Sequence, residues 1–506
     1  MKTGFLIFLQ LLSYALFMTL SAQPSTQLIR NVQIVDGTGG PSFKASVRIK
    51  GDIIFQIGDL SPLMNEIVVE GKGLVLAPGF IDSHSHHFGD LRRNRTGLST
   101  SNQGITTIVI GQDGDSYPID TLSKMMQAQP IVSNVASYTG HSALRKEVMG
   151  EKEVYRKATQ QEIEKMKSIL KQELMKGALG LSTGLEYEAA FYSTPDEVIQ
   201  LAQVAADNKG RYTSHIRSED VNMSDAIDEI IQIGKVTKMP VQISHIKIAK
   251  RDDWGKAATI LKRLEMARAE GVNICADVYP YTFWNSTLRV LFPDKKFTNI
   301  ESAEFAVDQL FDANESVIVA FAPIPNYVGK TLATIAIERN EMPAETLMRL
   351  IKIASDFDEQ YPNYNGSTEA IAGKSMHEQD VAEFINWPFA NICSDGNAGG
   401  HPRGYGSFTR VLGKYVREKQ MMTLETAIHK MTGMTAHFFE IKDRGTIAVG
   451  KKADLVLLNP TTVIDNATIT NSKALSTGIE TVWVNGQIVY NEKRATGHLP
   501  GILLKH

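Results

Sequence analysis

The chain has 506 residues, 43% hydrophobic and 22% charged, and its 53 basic and 56 acidic residues give a net charge of −3. This length exceeds one ordinary core and predicts two or three domains, or one large barrel with additions. The balanced charge argues against nucleic acid or an anionic membrane surface as a partner.

Residues 1–22 have the layout of a secretory signal peptide. Lys2 precedes an apolar run from Phe5 to Leu20, and the small residues Ser21 and Ala22 follow it. We therefore expect a periplasmic or secreted protein without stable membrane association after cleavage; a membrane anchor helix is the alternative interpretation.

Both ends of the remaining chain are predicted to be β-structure. Residues 23–78 contain short alternating runs broken by glycine and aspartate, and residues 440–506 repeat this pattern, with an Asn-Gly turn at 485–486. We expect the two ends to pair into one small β-sandwich domain.

Residues 79–439 alternate between strand and helix patterns. One helix is predicted over 159–177, where apolar residues recur at helical spacing and Gly177 ends the pattern. Eight strand candidates, from "GFIDSHSH" to "FANICSDG", favour an α/β fold with a (β/α)₈ TIM barrel, and an open doubly wound sheet is the alternative. Residues at about 290–385 interrupt the rhythm and are interpreted as an insertion between the seventh and eighth strands.

Histidines and an aspartate fall where barrel strands end. His84 and His86 are two residues apart, so they point to the same side of the first strand. His215, His245 and Asp395 each follow a later strand run. Because the carboxyl ends of barrel strands form one face, these side chains are expected to meet there and bind Zn²⁺ or a similar metal.

Several motifs resemble those of the amidohydrolase superfamily, and within it those of the N-acyl-D-amino-acid deacylases (D-aminoacylases). The first likeness is carried by "APGFIDSHSH" and "GTIAVGKKADLVLLNP", and the second by "GALGLSTGLEYE", "SHIRSE", "QISHIK", "ADVYPY" and "HPRGYGSF". The resemblance implies a metal-dependent barrel with a β-sandwich and hydrolysis of an N-acyl-D-amino acid. It also implies metal ligation by His84, His86, His215 and His245, with Asp395 as both metal contact and general base.

One position departs from the family pattern. Some of these deacylases carry a cysteine ligand after the second strand, where this chain has Asp113 in "GQDG". Either Asp113 replaces the cysteine, or Glu186 after the fourth strand is the bridging carboxylate; we prefer Glu186 at this stage. One or two zinc ions are expected.

The substrate of such an enzyme carries a free carboxylate, which needs cations or hydrogen-bond donors. Candidates are Lys247, which shares a strand face with His245, and Arg403. Tyr279 and Tyr281 are further candidates, and of the two we predict Tyr281. His141 and Arg145, at the third strand, have either a positioning or a structural role.

Other functions remain open from the sequence. A dipeptidase acting on D-residues or unusual peptides needs the same chemistry. A cyclic-amide hydrolase of the hydantoinase or dihydroorotase type is disfavoured, because "GLSTGLEYE" has no lysine to bridge two metals. An inactive secreted binding protein on the same scaffold is a remote alternative.

Overall fold

A computed structural model describes residues 26–506. The predicted signal peptide lies outside this range. The strands, in chain order, are β1 (Gln27–Ile34), β2 (Phe43–Lys50), β3 (Ile53–Gly58), β4 (Ile67–Glu70), β5 (Val75–Pro78), β6 (Phe80–Asp82), β7 (Ile105–Ile110), β8 (Asn134–Ser137), β9 (Thr139–Gly140), β10 (Gly180–Gly184), β11 (Arg211–His215), β12 (Val241–Ile243), β13 (Ile274–Val278), β14 (Phe283–Ser286), β15 (Val317–Phe321), β16 (Glu369–Lys374), β17 (Ala390–Ile392), β18 (Leu455–Leu458), β19 (Ile479–Val484), β20 (Gln487–Asn491) and β21 (Arg494–Ala495).

The α-helices are α1 (Phe88–Arg93), α2 (Leu98–Ser101), α3 (Ile119–Ala128), α4 (His141–Met149), α5 (Gln160–Lys176), α6 (Glu188–Phe191), α7 (Pro195–Asp207), α8 (Met223–Thr237), α9 (Ala257–Ala269), α10 (Ile300–Phe305), α11 (Leu332–Arg339), α12 (Pro343–Gln360), α13 (Glu378–Asn386), α14 (Arg403–Arg410), α15 (Leu424–Met431) and α16 (Gly433–Phe438). Within the described residues, no helix combines the length and apolar character needed to cross a bilayer.

The parallel strands form a closed (β/α)₈ barrel. One sheet has the order β6-β7-β8 and the other β17-β13-β12-β11-β10-β9. β8 and β9 are successive parts of one barrel strand, since only Tyr138 separates them. The last strand returns to the first, because Asp395 N donates to His84 O over 2.8 Å and His86 N donates to Gly396 O over 3.0 Å. This closure confirms the barrel and excludes the open sheet.

Both chain ends form one β domain, as the sequence predicts. β1–β5 and β18–β21 belong to a single nine-stranded sheet, in which β5 pairs with β18. The sheet surrounds its own core, to which Ile29 and Val47 contribute from one end and Leu455 and Trp483 from the other. Only one residue, Gly79, separates β5 from the first barrel strand. The β domain therefore fixes the position of the strand that precedes His84.

Helix boundaries follow local sequence signals. In the helix predicted over 159–177, the Thr159 hydroxyl accepts from Glu162 N and the Glu162 carboxylate accepts from Thr159 N, which makes a capping box. Gly177 ends the helix at φ 110°, a conformation that favours glycine. Ile163, Met166 and Leu170 bury the apolar face against the barrel.

A separate three-stranded antiparallel sheet, in the order β14-β16-β15, lies in the chain between β13 and β17. It runs from Phe283 to Lys374, so it begins and ends earlier than the predicted insertion at about 290–385. α13, within that predicted range, packs on the barrel helix α9. The predicted domain limits at residues 78 and 439 stay predictions.

Candidate active site

The four predicted histidine ligands converge with Asp395 and Asp113 at the carboxyl end of the barrel. His84 Nε2 and His86 Nε2 are 3.3 Å apart, in the segment that directly follows β6. His215 Nδ1 lies 3.0 Å from His245 Nε2, across neighbouring strands. The two histidine pairs thus form two adjacent groups of potential ligands.

Asp113 is common to both groups. Its Oδ2 lies 3.3 Å from His84 Nε2 and 3.2 Å from His86 Nε2, while its Oδ1 lies 3.4 Å from His245 Nε2. The loop after β7 places it there with a left-handed backbone, φ 57°. This favours Asp113, rather than the preferred Glu186, as the carboxylate between two metal positions.

Glu186 approaches the cluster from another side. Its Oε2 lies 2.7 Å from His215 Nε2. Its grouping with His215 and Glu219 does not include the first histidine pair. Glu186 can therefore orient the His215 ring or ligate a metal beside it. It does not lie between the two histidine pairs.

Asp395 divides its two oxygens between the cluster and a cation. Oδ1 is 3.5 Å from His84 Nε2 and 3.3 Å from His86 Nε2. Oδ2 is 2.6 Å from Arg403 Nη1. The His86 side chain is 39% exposed, whereas that of His84 is fully buried, so solvent reaches the cluster beside Asp395.

The charges of the cluster suit a divalent metal. The partial burial of the His86 ring lowers its pKa, but hydrogen bonds to Asp113 and Asp395 raise it to about 10, so the carboxylates attract positive charge to this position. Burial opposes ionisation of Asp113 too, yet the imidazoles of His84, His245 and His86 hold its pKa well below the usual range. Asp113 Oδ1 is buried and accepts no hydrogen bond from the described residues. Imidazole nitrogens and ionised carboxylates arranged this way fit zinc.

A small cavity of about 50 Å³ adjoins the cluster. His215, His245 and Asp395 line one side, together with Lys247 and Arg403. The lining also includes apolar side chains, namely Ala249, Trp284, Val290, Leu291 and Leu310. The antiparallel sheet of the insertion supplies part of this lining through Trp284, Asn285 and Ser286 of β14.

Of the two candidate tyrosines, Tyr279 lines this cavity and Tyr281 does not. The Tyr281 hydroxyl donates to Asp465 over 3.0 Å, and the Arg410 guanidinium lies 4.6 Å from its ring centroid. The structure thus favours Tyr279 over the predicted Tyr281 as a substrate contact. Two cavity atoms are buried without a hydrogen-bond partner among the described residues, Arg403 Nε and Asn285 Oδ1.

His141 and Arg145 form a buried ion-pair group with Glu197, at 2.9 Å and 2.5 Å. They lie outside the metal-candidate groups, but their helix α4 supports the Asp113 loop through the bond from Ala143 N to Gly114 O. His87 points away from the cluster, and its Nε2 lies 3.0 Å from Gly404 O.

The sequence 180–184 has the Gly-x-Ser-x-Gly spacing of a nucleophile elbow. Ser182 is nevertheless fully buried within β10, and its hydroxyl donates to Gly111 O over 2.5 Å. This serine is therefore unsuited to nucleophilic attack on a substrate.

Sequence reasoning missed Glu219 as a site residue. Its carboxylate lies 3.0 Å from His245 Nδ1 and 2.6 Å from Lys247 Nζ, at the back of the cluster. The available signal was its position four residues after His215, in the loop that follows β11.

Known proteins resemble this chain over nearly its whole length. The profile of the amidohydrolase family matches residues 68–322 and 378–490. D-aminoacylase of Alcaligenes xylosoxydans xylosoxydans is 32% identical, over 96% of this chain and 98% of that protein. N-acyl-D-glutamate deacylase of the same organism is 34% identical, over 93% of this chain and 95% of that protein.

A solved structure of a deacylase is also similar to this chain over nearly its whole length. N-acyl-D-glutamate deacylase of Bordetella bronchiseptica, complexed with zinc and a phosphonate mimic of the tetrahedral intermediate, is 30% identical. It superposes with a TM-score of 0.84 over 95% of this chain and 99% of that one. The chain therefore belongs to the amidohydrolase family, the class of enzyme that the barrel and its histidine cluster define. Within the family, its full-length relatives are deacylases of N-acyl-D-amino acids.

Proposed function

We propose that this protein is a metal-dependent hydrolase that cleaves N-acyl-D-amino acids into a carboxylate and a D-amino acid. The observation that carries the proposal is the position of Asp395, with one oxygen at the histidine cluster and the other on Arg403, beside a cavity that also contains Lys247. The names of the relatives support a linear amide substrate of D configuration.

Zinc is the proposed metal, because the donor set fits it and the Bordetella relative was crystallised with it. His84, His86, Asp113 and Asp395 would hold one ion, and Asp113, His215 and His245 would hold a second. Bound zinc would polarise the amide carbonyl and lower the pKa of water from about 16 towards about 7.

Asp395 transfers the proton in this mechanism. Its Oδ1 faces the solvent-accessible side of the cluster, where it takes a proton from the attacking water. The same carboxylic acid then protonates the nitrogen of the tetrahedral intermediate, because an amide nitrogen leaves poorly as an anion. Arg403 orients the carboxylate through Oδ2 throughout.

Lys247 and Arg403 are proposed to bind the free carboxylate of the substrate. Each already has an acidic partner, Glu219 or Asp395, but an ammonium group has three N–H donors and a guanidinium group has five. Tyr279 adjoins both cations, since Arg403 and Lys247 are 4.8 Å and 5.9 Å from its ring centroid.

We also propose a neutral, apolar amino-acid side chain in the substrate. The cavity wall formed by Trp284, Val290 and Leu310 favours apolar contact. Glu186 and Asp220 also line the cavity and would repel an acidic side chain. A substrate such as N-acetyl-D-leucine is therefore expected to react faster than N-acetyl-D-glutamate.

The test is a screen of N-acetyl D- and L-amino acid pairs with zinc-loaded protein, scored by release of the free amine. We expect turnover of D-leucine, D-methionine or D-phenylalanine derivatives and little with their L partners. Faster cleavage of a D-residue dipeptide or of a hydantoin would favour the alternatives, and no turnover by zinc-loaded protein would refute the proposal.

Export from the cytoplasm is a further part of the proposal. It is supported by the sequence of residues 1–22 alone. N-terminal sequencing of protein recovered from the periplasm or medium should begin near residue 23, and an intact Met1 in a cytoplasmic fraction would contradict it.

A further inference from the structure

His245 has different surroundings at its two ring nitrogens. Nε2 faces the metal-candidate cluster, at 3.0 Å from His215 Nδ1 and 3.4 Å from Asp113 Oδ1. Nδ1 faces away from it, at 3.0 Å from Glu219 Oε1 and 2.7 Å from Lys247 Nζ. Glu219 and Lys247 are both buried, and each lies within direct hydrogen-bonding distance of Nδ1.

The two neighbours of Nδ1 have opposite requirements. An ionised carboxylate only accepts hydrogen bonds, whereas an ammonium group only donates them. A neutral imidazole carries one proton. If Nδ1 donates to Glu219, Nε2 keeps its lone pair and can bind a metal; if Nδ1 accepts from Lys247, the proton sits on Nε2 and blocks ligation.

Glu219 also binds the competing ammonium directly. Lys247 Nζ lies 2.6 Å from each of its two oxygens. These contacts direct the ammonium protons towards the carboxylate and balance a positive charge that would otherwise repel a divalent ion.

We propose that Glu219 is a positioning residue that keeps His245 in its metal-binding tautomer by accepting from Nδ1 and by drawing the ammonium protons of Lys247 to its own two oxygens. The inference rests on the proposed function only in taking His245 as a metal ligand. Lys247 can then bind the carboxylate of the substrate, because Glu219 balances the positive charge that would otherwise repel the metal.

The test compares zinc affinity in full-length wild type, Glu219→Leu, Lys247→Met and the double variant, by competition with a chromogenic chelator. Glu219→Leu should bind zinc about 10–100-fold more weakly, as loss of such an outer partner does. Lys247→Met should keep its zinc affinity, and the double variant should recover most of the loss because the competing donor is gone. Circular dichroism would establish that each variant is folded.

A purely structural role for Glu219 predicts a different pattern. The double variant would then bind zinc no better than Glu219→Leu, and that result would overturn the proposal, as would wild-type zinc affinity in Glu219→Leu. If Glu219→Leu does not fold, Glu219→Gln with and without Lys247→Met provides the same comparison. Zinc binding is measured without substrate, so an inactive wild type with this zinc pattern would refute the deacylase function alone.

Discussion

Arg403 and Asp395 form an ion pair at the mouth of the barrel, with 2.6 Å between Nη1 and Oδ2. Burial by itself would raise the pKa of Asp395, but the Arg403 guanidinium and the nearby imidazoles hold it well below the usual range. Asp395 is therefore ionised in the free enzyme, which is the form a proton acceptor requires, while the ion pair weakens its affinity for a proton. The pair also fixes which oxygen faces the cluster.

Replacement of Asp395 by asparagine should remove this proton acceptor and keep the shape of the side chain. We expect kcat for the D substrate to fall by about 10²–10⁴-fold, the usual effect of losing a general base, with the thermal midpoint little changed. Steady-state kinetics at saturating zinc measure it. The control is Asp465→Asn, which alters another arginine-paired aspartate, 3.0 Å from Arg410, outside the cluster. Near-normal kcat in Asp395→Asn would exclude the proposed role.

Replacement of Asp113 and replacement of Glu186 should change the metal content of the protein in different ways. Because Asp113 belongs to both ligand groups, Asp113→Ala should reduce zinc in each position, whereas Glu186→Ala should affect only the His215 side. Elemental analysis after dialysis measures the stoichiometry. Asp115→Ala, two residues further along and exposed, is the control. If Glu186→Ala lost all zinc while Asp113→Ala lost none, Glu186 would be the shared ligand after all.

Much of the site could be predicted from the positions where the barrel strands end. His84, His86, His215, His245 and Asp395 could be grouped from sequence because the ends of parallel strands meet at one face, whatever the loops do. The positions of the strand ends could not show whether Asp113 or Glu186 is the carboxylate between the two metal positions. The choice depends on the left-handed turn at Asp113, which is held by the bond from Asp115 N to Gln112 O and by the bond from Ala143 N of α4 to Gly114 O.

The tyrosine assignment shows a second limit of periodicity. Tyr279 and Tyr281 are two residues apart, so a continuing strand would direct both to one side. β13 ends at Val278 and Pro280 lies between the tyrosines, so the alternation does not extend to them. Glu219 was missed for a related reason, since its contact with Lys247 joins the loops after two different strands.

Removal of each tyrosine hydroxyl should therefore have a different effect. Tyr279→Phe removes a hydroxyl in the cavity whose protein partner is Met376 Sδ at 4.0 Å, so we expect a several-fold higher KM and little change in stability. Tyr281→Phe removes a buried bond to Asp465 and should lower stability by about 1 kcal/mol without changing KM. Kinetics and thermal melts on both variants test this, and a raised KM in Tyr281→Phe alone would restore the first assignment.

Glu369 in β16 should make the stability of the insertion depend on pH. Its side chain is buried, Oε2 accepts from Leu288 N over 2.6 Å, and Oε1 has no partner among the described residues. Burial raises its pKa to about 7, which the Leu288 N–H and Arg289 only partly oppose. The folded state therefore binds a proton more tightly than the unfolded state, and stability falls as pH rises from about 4.5 to about 7.

Glu369→Gln removes the buried charge and keeps an oxygen to accept from Leu288 N. We expect this variant to be more stable than wild type at pH 8, with an upper limit of about 3 kcal/mol, and to lose its advantage near pH 4.5, where wild-type Glu369 is protonated when folded. Thermal melts across this range measure the difference. Glu304→Gln, exposed in α10 of the same insertion, is the control and should show no such trend. A difference between Glu369→Gln and wild type that stays constant with pH would show that the folded protein does not hold Glu369 in its neutral form.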